Sequence, residues 1–214
     1  MGKEWNYDDA YKRHPIEEGE KAVWENGSTV MINNIFDEVP SEFREADIVF
    51  VDPPWNTGNL NSFYTKADRT DYPNGYDTFM PRVLHYIDTI NPKIVYLEIG
   101  KEFLAEYIVE LKKRYKYVTF YNSSYYHNKQ NKCYVIRASR KAKKPALDYM
   151  DEEDIINWIT HNEEYECICD FCIGRGLVAM GAADAGKRFV GGELNHKRLS
   201  VLLERVPGYQ IEKR

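Results

Sequence analysis

One apolar run that ends in a carboxylate decides the fold: Ile48-Val49-Phe50-Val51-Asp52-Pro53-Pro54-Trp55-Asn56-Thr57-Gly58. Four consecutive apolar residues predict a strand buried on both faces, as in a parallel sheet. Proline cannot donate to a sheet ladder, so the strand should end at Asp52. Open α/β sheets bind ligands just beyond the carboxyl ends of their strands. The residues from Asp52 to Trp55 are therefore predicted to lie at a ligand site.

This corner is suited to holding an aromatic amine. The Asp52 carboxylate and the Pro53 carbonyl can accept both hydrogens of an exocyclic amine, and the prolines fix the backbone that aims them. The indole of Trp55 offers a flat face for stacking a base. Hydrogen bonds to both hydrogens make the nitrogen more tetrahedral and free its lone pair for attack. The alternative is a strand, a proline-rich turn and a core tryptophan.

A second pattern, in the last third of the chain, is typical of nucleotide binding. Residues 167–176 predict a strand and a Gly-x-Gly turn, whose glycines let the backbone approach a ligand closely. Residues 188–193 predict another strand, which places Glu193 to bind ribose hydroxyls. A dinucleotide-binding or purely structural βαβ unit is the alternative. A doubly wound sheet would bring the two motifs together as central neighbours.

The two motifs together resemble those of a known enzyme family. Asp-Pro-Pro-Trp followed by Asn-Thr-Gly resembles the catalytic motif of the S-adenosylmethionine-dependent amino-methyltransferases, which methylate adenine N6 or cytosine N4. Aspartate at the first position is more typical of the adenine enzymes. Residues 170–176 and 186–195 look like the family's cofactor motifs, although the usual proline and serine of the glycine loop are missing. The catalytic motif precedes the cofactor motif, which resembles the permuted order of the β group.

The resemblance implies S-adenosyl-L-methionine as the cofactor and assigns residues to its chemistry. The implied catalytic residues are Asp52, Pro53, Pro54 and Trp55. The implied cofactor-binding residues are Asp170, Phe171, Cys172, Gly174, Gly176, Glu193, Leu194, Asn195, Lys144 and Asn34. Lys144 opens a Lys-Pro dipeptide of the kind that precedes the family's cofactor strand, and Asn34 stands where the family often has an aspartate.

The segment 56–78 is polar and aromatic, and we interpret it as a long loop that contacts the substrate. Its candidate residues are Asn56, Thr57, Phe63, Tyr64, Tyr72 and Tyr76. For any one aromatic residue, packing of the loop on itself is the alternative.

The implied activity is methyl transfer to the N6 amine of adenine in DNA. The family's target-recognition region is missing, because Ala138 lies only a few residues before Lys144. We therefore predict a minimal enzyme with a relaxed or short sequence preference, or one that borrows recognition from a partner. An RNA adenine N6-methyltransferase, a DNA cytosine N4-methyltransferase and a catalytically idle binding subunit stay open, as does a homo-oligomer.

The composition is that of an ordinary globular protein. The chain has 214 residues, of which 43% are hydrophobic and 29% charged, so we expect an ample core. No run reaches the length of a membrane span, and the start of the chain lacks an apolar leader, so we expect a cytoplasmic protein that does not contact membranes. The net charge of −5 disfavours tight non-specific binding to duplex DNA but leaves local patches open.

The cysteines do not predict a metal site. Cys167, Cys169 and Cys172 have a spacing that is not usual for structural zinc. Cys167 and Cys169 should share one face of a buried strand, where free thiols behave as small hydrophobic groups. We expect reduced thiols and no metal.

Hydrophobic periodicity predicts the rest of an α/β fold: a doubly wound, mostly parallel sheet with an antiparallel edge hairpin, Rossmann-like and circularly permuted. Residues 1–28 are interpreted as an irregular arm with one short helix, and residues 29–214 as a single methyltransferase domain. Strand 29–33, a helix over 35–43 and strand 47–51 are interpreted as one βαβ unit. The remaining predictions are helices over 78–89, 101–115 and 151–161, a strand over 94–97, and a hairpin of strands 117–121 and 132–138.

Overall fold

The computed structural model describes residues 7, 9–71 and 73–214. The strands of the described residues are β1 (Glu20–Trp24), β2 (Thr29–Ile32), β3 (Ile48–Val51), β4 (Ile94–Ile99), β5 (Tyr117–Tyr125), β6 (Asn128–Ser139), β7 (Cys167–Asp170), β8 (Arg188–Glu193) and β9 (Tyr209–Lys213). The helices are α1 (Ala10–Arg13), α2 (Thr57–Lys66), α3 (Tyr76–Ile90), α4 (Leu104–Lys112), α5 (Glu152–Asn162), α6 (Leu177–Asp184) and α7 (His196–Arg205), with a 3-10 helix over Ser41–Glu45.

All these strands form one sheet, in the order β5-β6-β4-β3-β7-β8-β2-β1-β9. The five strands from β4 to β2 in this order are parallel to one another. The β5–β6 hairpin lies antiparallel at one edge. The predicted α/β class, with a mostly parallel sheet and an edge hairpin, is confirmed. A second antiparallel edge, made by β1 and β9, was not predicted from the sequence.

Helices cover both faces of the sheet, which explains why β3 is apolar throughout. Val49 and Val51 point to the core shared with α3 and α4, whereas Ile48 and Phe50 point to the core shared with α5, α6 and α7. All four side chains are buried. Burying a side chain of this size stabilises the fold by roughly 1.5–3 kcal/mol. Within the part of the chain that the structure describes, no helix is both long enough and apolar enough to cross a membrane.

The chain reverses its direction of winding between β3 and β7. The two strands are direct neighbours, with Ile48 beside Ile168 and Val49 beside Cys169. From β3 the chain passes through α2 and α3 to β4 on one side; from β7 it passes through α6 to β8 on the other. This is the topological switch point, where open α/β sheets bind their ligands. The prediction that the two motif strands are central neighbours is confirmed.

The predicted βαβ unit at the start of the chain is wrong. Residues 35–43 form no α-helix, because Asn34 closes a turn on Phe36 and Asp37 and Pro40 follows. Only the 3-10 helix over Ser41–Glu45 forms there. β7 and β8 separate β2 from β3 in the sheet, so these two strands do not make one unit.

Part of the segment that was predicted to be an irregular arm is a strand. Residues 20–24 form β1, which pairs with β2 and with β9, and its Ala22 and Trp24 are buried. The prediction of an irregular segment is therefore wrong for this strand. The residues next to β1 in the sequence do not predict this strand, because its partner β9 comes from the other end of the chain. The division into an arm and a catalytic domain stays a prediction.

The predicted loop over residues 56–78 is wrong as well. Asn56 caps α2 by accepting a hydrogen bond from the Asn59 N–H at 2.8 Å, and the helix then continues to Lys66. Tyr76 opens α3 and stacks on Phe103 with ring centroids 3.9 Å apart, so it is a core residue. Tyr72 lies outside the described residues.

We expect Gly191→Ala to destabilise the protein strongly. A Cβ atom at position 191 would lie 2.1 Å from the Asp170 carbonyl oxygen, so β7 and β8 would have to separate. We expect the free energy of unfolding, measured in urea, to fall by about 3 kcal/mol or more. Gly186→Ala is the control, since that glycine has a φ of 65° but no atom close to the added carbon. It should lose only about 1 kcal/mol. Equal losses would contradict the close approach.

Candidate functional site

Polar side chains line the carboxyl edge of the parallel strands. Each strand contributes one or two close to its end: Glu98 from β4, Asp52 after β3, Asp170 from β7, Glu193 from β8, and Asn33 and Asn34 after β2. Parallel strands end at the same edge of a sheet, so these groups face one region. The structure thus brings together the two motifs that the sequence singled out.

The Asp-Pro-Pro-Trp corner is held in one conformation by its own side chains. The Trp55 indole N–H donates to Asp52 Oδ1 at 2.7 Å. The indole meets the Tyr125 ring edge to face, with centroids 5.2 Å apart. A Cβ atom at position 100 would lie 3.0 Å from Trp55 Cε3, so Gly100 allows the indole to lie against the end of β4. One oxygen of Asp52 is therefore bonded, and the other is left for a ligand.

Asp52 is accessible to solvent although protein atoms crowd its carboxyl group. Their exclusion of water raises the pKa of Asp52 to about 6, against the hydrogen bond from Trp55 and the positive charge of Arg198, which lower it. Because the residue is still exposed to solvent, the energetic consequence is smaller than for an enclosed acid. Asp52 is ionised at neutral pH and protonated in mild acid.

Two further acids, Glu98 and Glu152, lie beside Asp52 and were missed in the sequence. Glu98 is 1% exposed, and burial followed by the charges of Asp52 and Glu152 raises its pKa well above the ordinary value. Glu152 opens α5, and burial with the charge of Asp52 raises its pKa to about 7. A signal was available for Glu98, since it lies at the end of a predicted buried strand as Asp52 does.

Glu193 ties the glycine loop to the end of β8. Its Oε2 accepts from the Gly174 N–H at 2.7 Å, and its Oε1 accepts from the Asn195 N–H at 2.9 Å. Each oxygen keeps a further lone pair. The loop needs Gly176, which has a φ of 85° and where a Cβ atom would lie 2.5 Å from Leu202 Cδ1. Glu193 is thus a structural anchor as well as a candidate ligand.

Asp170 is buried and accepts a hydrogen bond, whereas Phe171 and Cys172 beside it pack against the hydrophobic core. Asp170 Oδ1 accepts from the Cys172 N–H at 2.9 Å, and burial followed by the charges of Asp52 and Glu193 raises the pKa of Asp170. Phe171 is buried against Tyr86, with ring centroids 5.1 Å apart, so it is a core residue. Two further predicted cofactor residues, Cys172 and Leu194, are half-buried and pack against the same core.

Helix α2 is fastened to this edge by buried polar contacts. Tyr64 is buried, and its hydroxyl donates to Asn34 Oδ1 at 2.8 Å. The Asn195 amide donates to the Lys66 carbonyl at 2.9 Å and also caps α7. Tyr64, Asn34 and Asn195 therefore join elements of the fold, rather than standing open to a substrate.

The other predicted substrate residues lie at the surface of α2. Thr57, its first residue, is exposed. Phe63 is half-buried, and the Arg198 guanidinium lies 4.6 Å from its ring centroid. Sequence reasoning did not single out Arg198, because its effect on Asp52 depends on how α7 packs.

The structure does not bring Lys144 to this edge. Its neighbour Lys143 bonds the Asn162 carbonyl at 3.2 Å and Glu163 at 2.8 Å. Those groups lie at the end of α5, before β7 begins, and therefore at the amino side of the sheet. The exposed Lys144 follows there.

The arrangement has two chemical capabilities. The free oxygen of Asp52 and the backbone of Pro53 can accept hydrogens from an amine stacked near Trp55. The acids Asp52, Asp170 and Glu193 give this edge of the sheet a negative electrostatic potential. Such a potential favours a ligand that carries positive charge or hydroxyl donors. Among the described residues, no group of three or more histidine, cysteine or acidic side chains could hold a metal ion. The four cysteines are free.

Comparison with solved structures shows the fold. The chain matches M1.HpyAVI in its SAM complex with a TM-score of 0.61 and 12% sequence identity, covering 82% of this chain and 97% of that one. It matches TTHA0409 of Thermus thermophilus, a candidate DNA modification methylase, with a TM-score of 0.57, 14% identity and coverage of 82% and 93%. TTHA0409 complexed with S-adenosyl-L-methionine matches with a TM-score of 0.55 and 13% identity, covering 84% and 94%.

No protein-family model and no curated protein sequence matches this chain. The likeness at 11–14% identity therefore establishes the architecture, and the chemistry has to be argued from this chain's own residues.

We expect Asp52→Asn to stabilise the free protein above pH 6. The folded-state pKa of Asp52 is raised from 3.8 to about 6, so the folded wild-type protein loses stability as the pH rises between these values. Asparagine does not titrate. Because Asp52 is solvent-exposed, the gain at pH 7.5 relative to pH 4 should be only about 1 kcal/mol. Urea unfolding of both proteins at the two pH values measures it, and a pH-independent difference would contradict the raised pKa.

Proposed function

We propose that this chain is an S-adenosyl-L-methionine-dependent methyltransferase that acts on the exocyclic N6 amine of adenine in DNA. The observation that carries the proposal is the placement of the Asp-Pro-Pro-Trp corner beside the glycine loop at the switch point of the sheet. The fold supports it, since solved structures of the same architecture include a SAM complex and a candidate DNA modification methylase.

The residues at the edge fit a cationic methyl donor. Buried acids with raised pKa values face the site, and a ligand with positive charge relieves the repulsion among them. Glu193 keeps lone pairs for ribose hydroxyls, and Gly174 and Gly176 let the backbone approach the ligand. When bound, the cofactor supplies an electrophilic methyl group on a positively charged sulfur.

The chain's own residues orient the amine. The target base leaves the helical stack and lies near Trp55. One Asp52 oxygen is bonded to the indole N–H, so the other accepts an amine hydrogen, and the Pro53 carbonyl accepts the second. The amine nitrogen gains the methyl group and loses one proton, which the Asp52 carboxylate can take. Positioning supplies most of the acceleration.

Recognition of the sequence around the target base is minimal or supplied by a partner. The connection from β6 to α5 covers only residues 140–151 and holds no further helix or strand. This connection is too short to hold a separate recognition domain, which the enzymes that this chain resembles carry at the same place. We therefore propose a relaxed or short sequence preference, or a partner that reads the DNA.

The product of the reaction tests the proposal. The protein is incubated with a labelled methyl donor and, in parallel, with duplex DNA, single-stranded DNA and RNA, and the nucleosides are identified by mass spectrometry. N6-methyladenine in DNA is the expected product. N4-methylcytosine, methylation confined to RNA, or cofactor binding without any methylation would each replace the proposal by the corresponding alternative.

Two variants should separate catalysis from cofactor binding. Asp52→Ala removes the amine acceptor, so we expect methyl transfer to fall at least about a thousandfold while cofactor affinity changes little. Glu193→Gln cannot accept from both the Gly174 and Asn195 N–H groups. It should weaken cofactor binding about tenfold or more. Calorimetry with the cofactor and a methylation assay measure the two effects, and near-wild-type turnover of Asp52→Ala would refute its role.

The acid side of the pH profile should report Asp52. Protonation turns the free oxygen of Asp52 into a hydroxyl donor, because its other oxygen accepts from the Trp55 indole, and the pKa of Asp52 is about 6. We expect kcat/KM to fall about tenfold per pH unit below pH 6. Methylation of a DNA oligonucleotide from pH 4.5 to 7 measures this. A profile that stays level down to pH 5 would mean that another group accepts the amine hydrogens.

A further inference from the structure

Strand register places Glu98 directly beside Asp52. Val51 of β3 pairs with Leu97 of β4, so Asp52 and Glu98 are the next residues along two parallel neighbours. Residues in register on parallel strands point to the same face. Phe50 and Tyr96 precede them by two positions, and both lie in the core that α5 covers. Asp52 and Glu98 therefore face α5.

Helix α5 brings a third acid to the same place. Glu152 is its first residue, and the preceding Asp151 is fixed by hydrogen bonds from the Ser124 hydroxyl at 3.1 Å and the His127 N–H at 2.9 Å. Glu152 is half-buried, so it remains partly accessible to solvent, and it interacts electrostatically with Asp52 and Glu98. Glu98 is enclosed by protein atoms. Its buried Oε1 has no hydrogen-bond partner within the described residues.

The groups that face this cluster come from several elements. They are Cys133 from β6, Tyr126 from the turn of the β5–β6 hairpin, Asp151 and Glu153 from α5, and Asp170 from β7, which interacts with Asp52. Arg198 from α7 is the positive charge that acts on Asp52, which also accepts the indole N–H.

These surroundings determine which acid ionises first. Three neighbouring carboxyl groups, one of them enclosed by protein, cannot all be charged at neutral pH. The hydrogen bond from Trp55 and the charge of Arg198 favour the negative charge on Asp52. The protons that remain are then on Glu98 and Glu152, in line with a pKa of about 7 for Glu152 against about 6 for Asp52.

We propose that Glu98 and Glu152 form a proton-sharing pair beside the ionised Asp52, in which Glu98 donates its proton in a hydrogen bond to Glu152. Glu152, when it carries a second proton, donates a hydrogen bond to the ring nitrogen next to the target amine. Adenine and cytosine carry an acceptor nitrogen there, so a donor beside the Asp52 acceptor matches that edge of the base. Guanine, thymine and uracil carry an N–H at the equivalent position, which a donor rejects. This inference rests on the proposed function and identifies a residue that selects the base.

The proton-sharing pair is tested on the protein without ligands. Carbon-13 NMR of the side-chain carboxyl carbons follows each acid from pH 4 to 9. Glu152 should titrate near pH 7, and Asp52→Asn should move that titration down by roughly one pH unit, because the neighbouring charge is gone. Glu164→Gln, an exposed glutamate elsewhere on the chain, should leave it in place. Titration of Glu152 in the range of an exposed glutamate would overturn the pair.

The base contact is tested by the alkaline side of the methylation profile. Wild-type kcat/KM should fall about tenfold per pH unit above pH 7 as Glu152 loses its proton. In Glu152→Gln the amide donates at every pH, so its activity should stay level from pH 7 to 9, while Glu164→Gln keeps the fall. An alkaline fall that persists in Glu152→Gln would overturn the contact.

A modified substrate gives an independent readout. An oligonucleotide with 1-deazaadenine at the target position lacks the acceptor nitrogen, so the wild-type protein should methylate it at least tenfold more slowly than adenine. Glu152→Ala should show no such preference, and urea unfolding checks that it folds. If the preference survives in Glu152→Ala, the contact is wrong.

The shared proton and the base contact can be refuted independently of each other. If no nucleic acid is methylated under any condition, the proposed function and the base contact both fall, while titration near pH 7 still establishes the shared proton. Ordinary titration of Glu152 refutes the pair even in an active enzyme.

Discussion

The adjacency of β3 and β7 is the constraint on which the site depends. The chain continues from these parallel neighbours to β4 on one side and to β8 on the other, so their ends form the topological switch point of the sheet. Asp52 and Asp170, which are far apart in sequence, therefore face the same region. The apolar run of β3 secures this arrangement, since its side chains alternate between two cores that would both lose packing if the strand shifted by one residue.

The same adjacency concentrates negative charge, and this has an energetic consequence. Asp52, Glu98, Asp170 and Glu193 lie at consecutive strand ends, and limited hydration raises the pKa of each. In the free protein this repulsion opposes folding, which is the usual condition of a site built for a ligand. A cationic cofactor and a retained proton both relieve it, so binding and protonation are linked at this edge.

Several polar residues near the site serve the fold. Asn56 caps α2, Asn195 caps α7 and joins it to α2, and Tyr64 bonds Asn34. The sequence marked these residues as candidate ligands because caps and braces use the same side-chain types as binding sites do. Their positions explain why α2, which directly follows the Asp-Pro-Pro-Trp corner, is a firm helix and not a loop.

The sequence by itself determined the strand that ends just before Asp52, the glycine loop before α6, the strand that ends at Glu193 and the edge hairpin, because local periodicity and turn chemistry specify them. Only the tertiary structure decided that residues 20–24 join the sheet, that residues 35–43 form no α-helix, and that Lys144 lies away from the site. It alone also placed Glu98, Glu152 and Arg198 around Asp52. The reason is physical: hydrophobic patterns report which face of an element is buried, whereas the pairing of distant strands and the approach of charges depend on contacts between residues far apart in the chain.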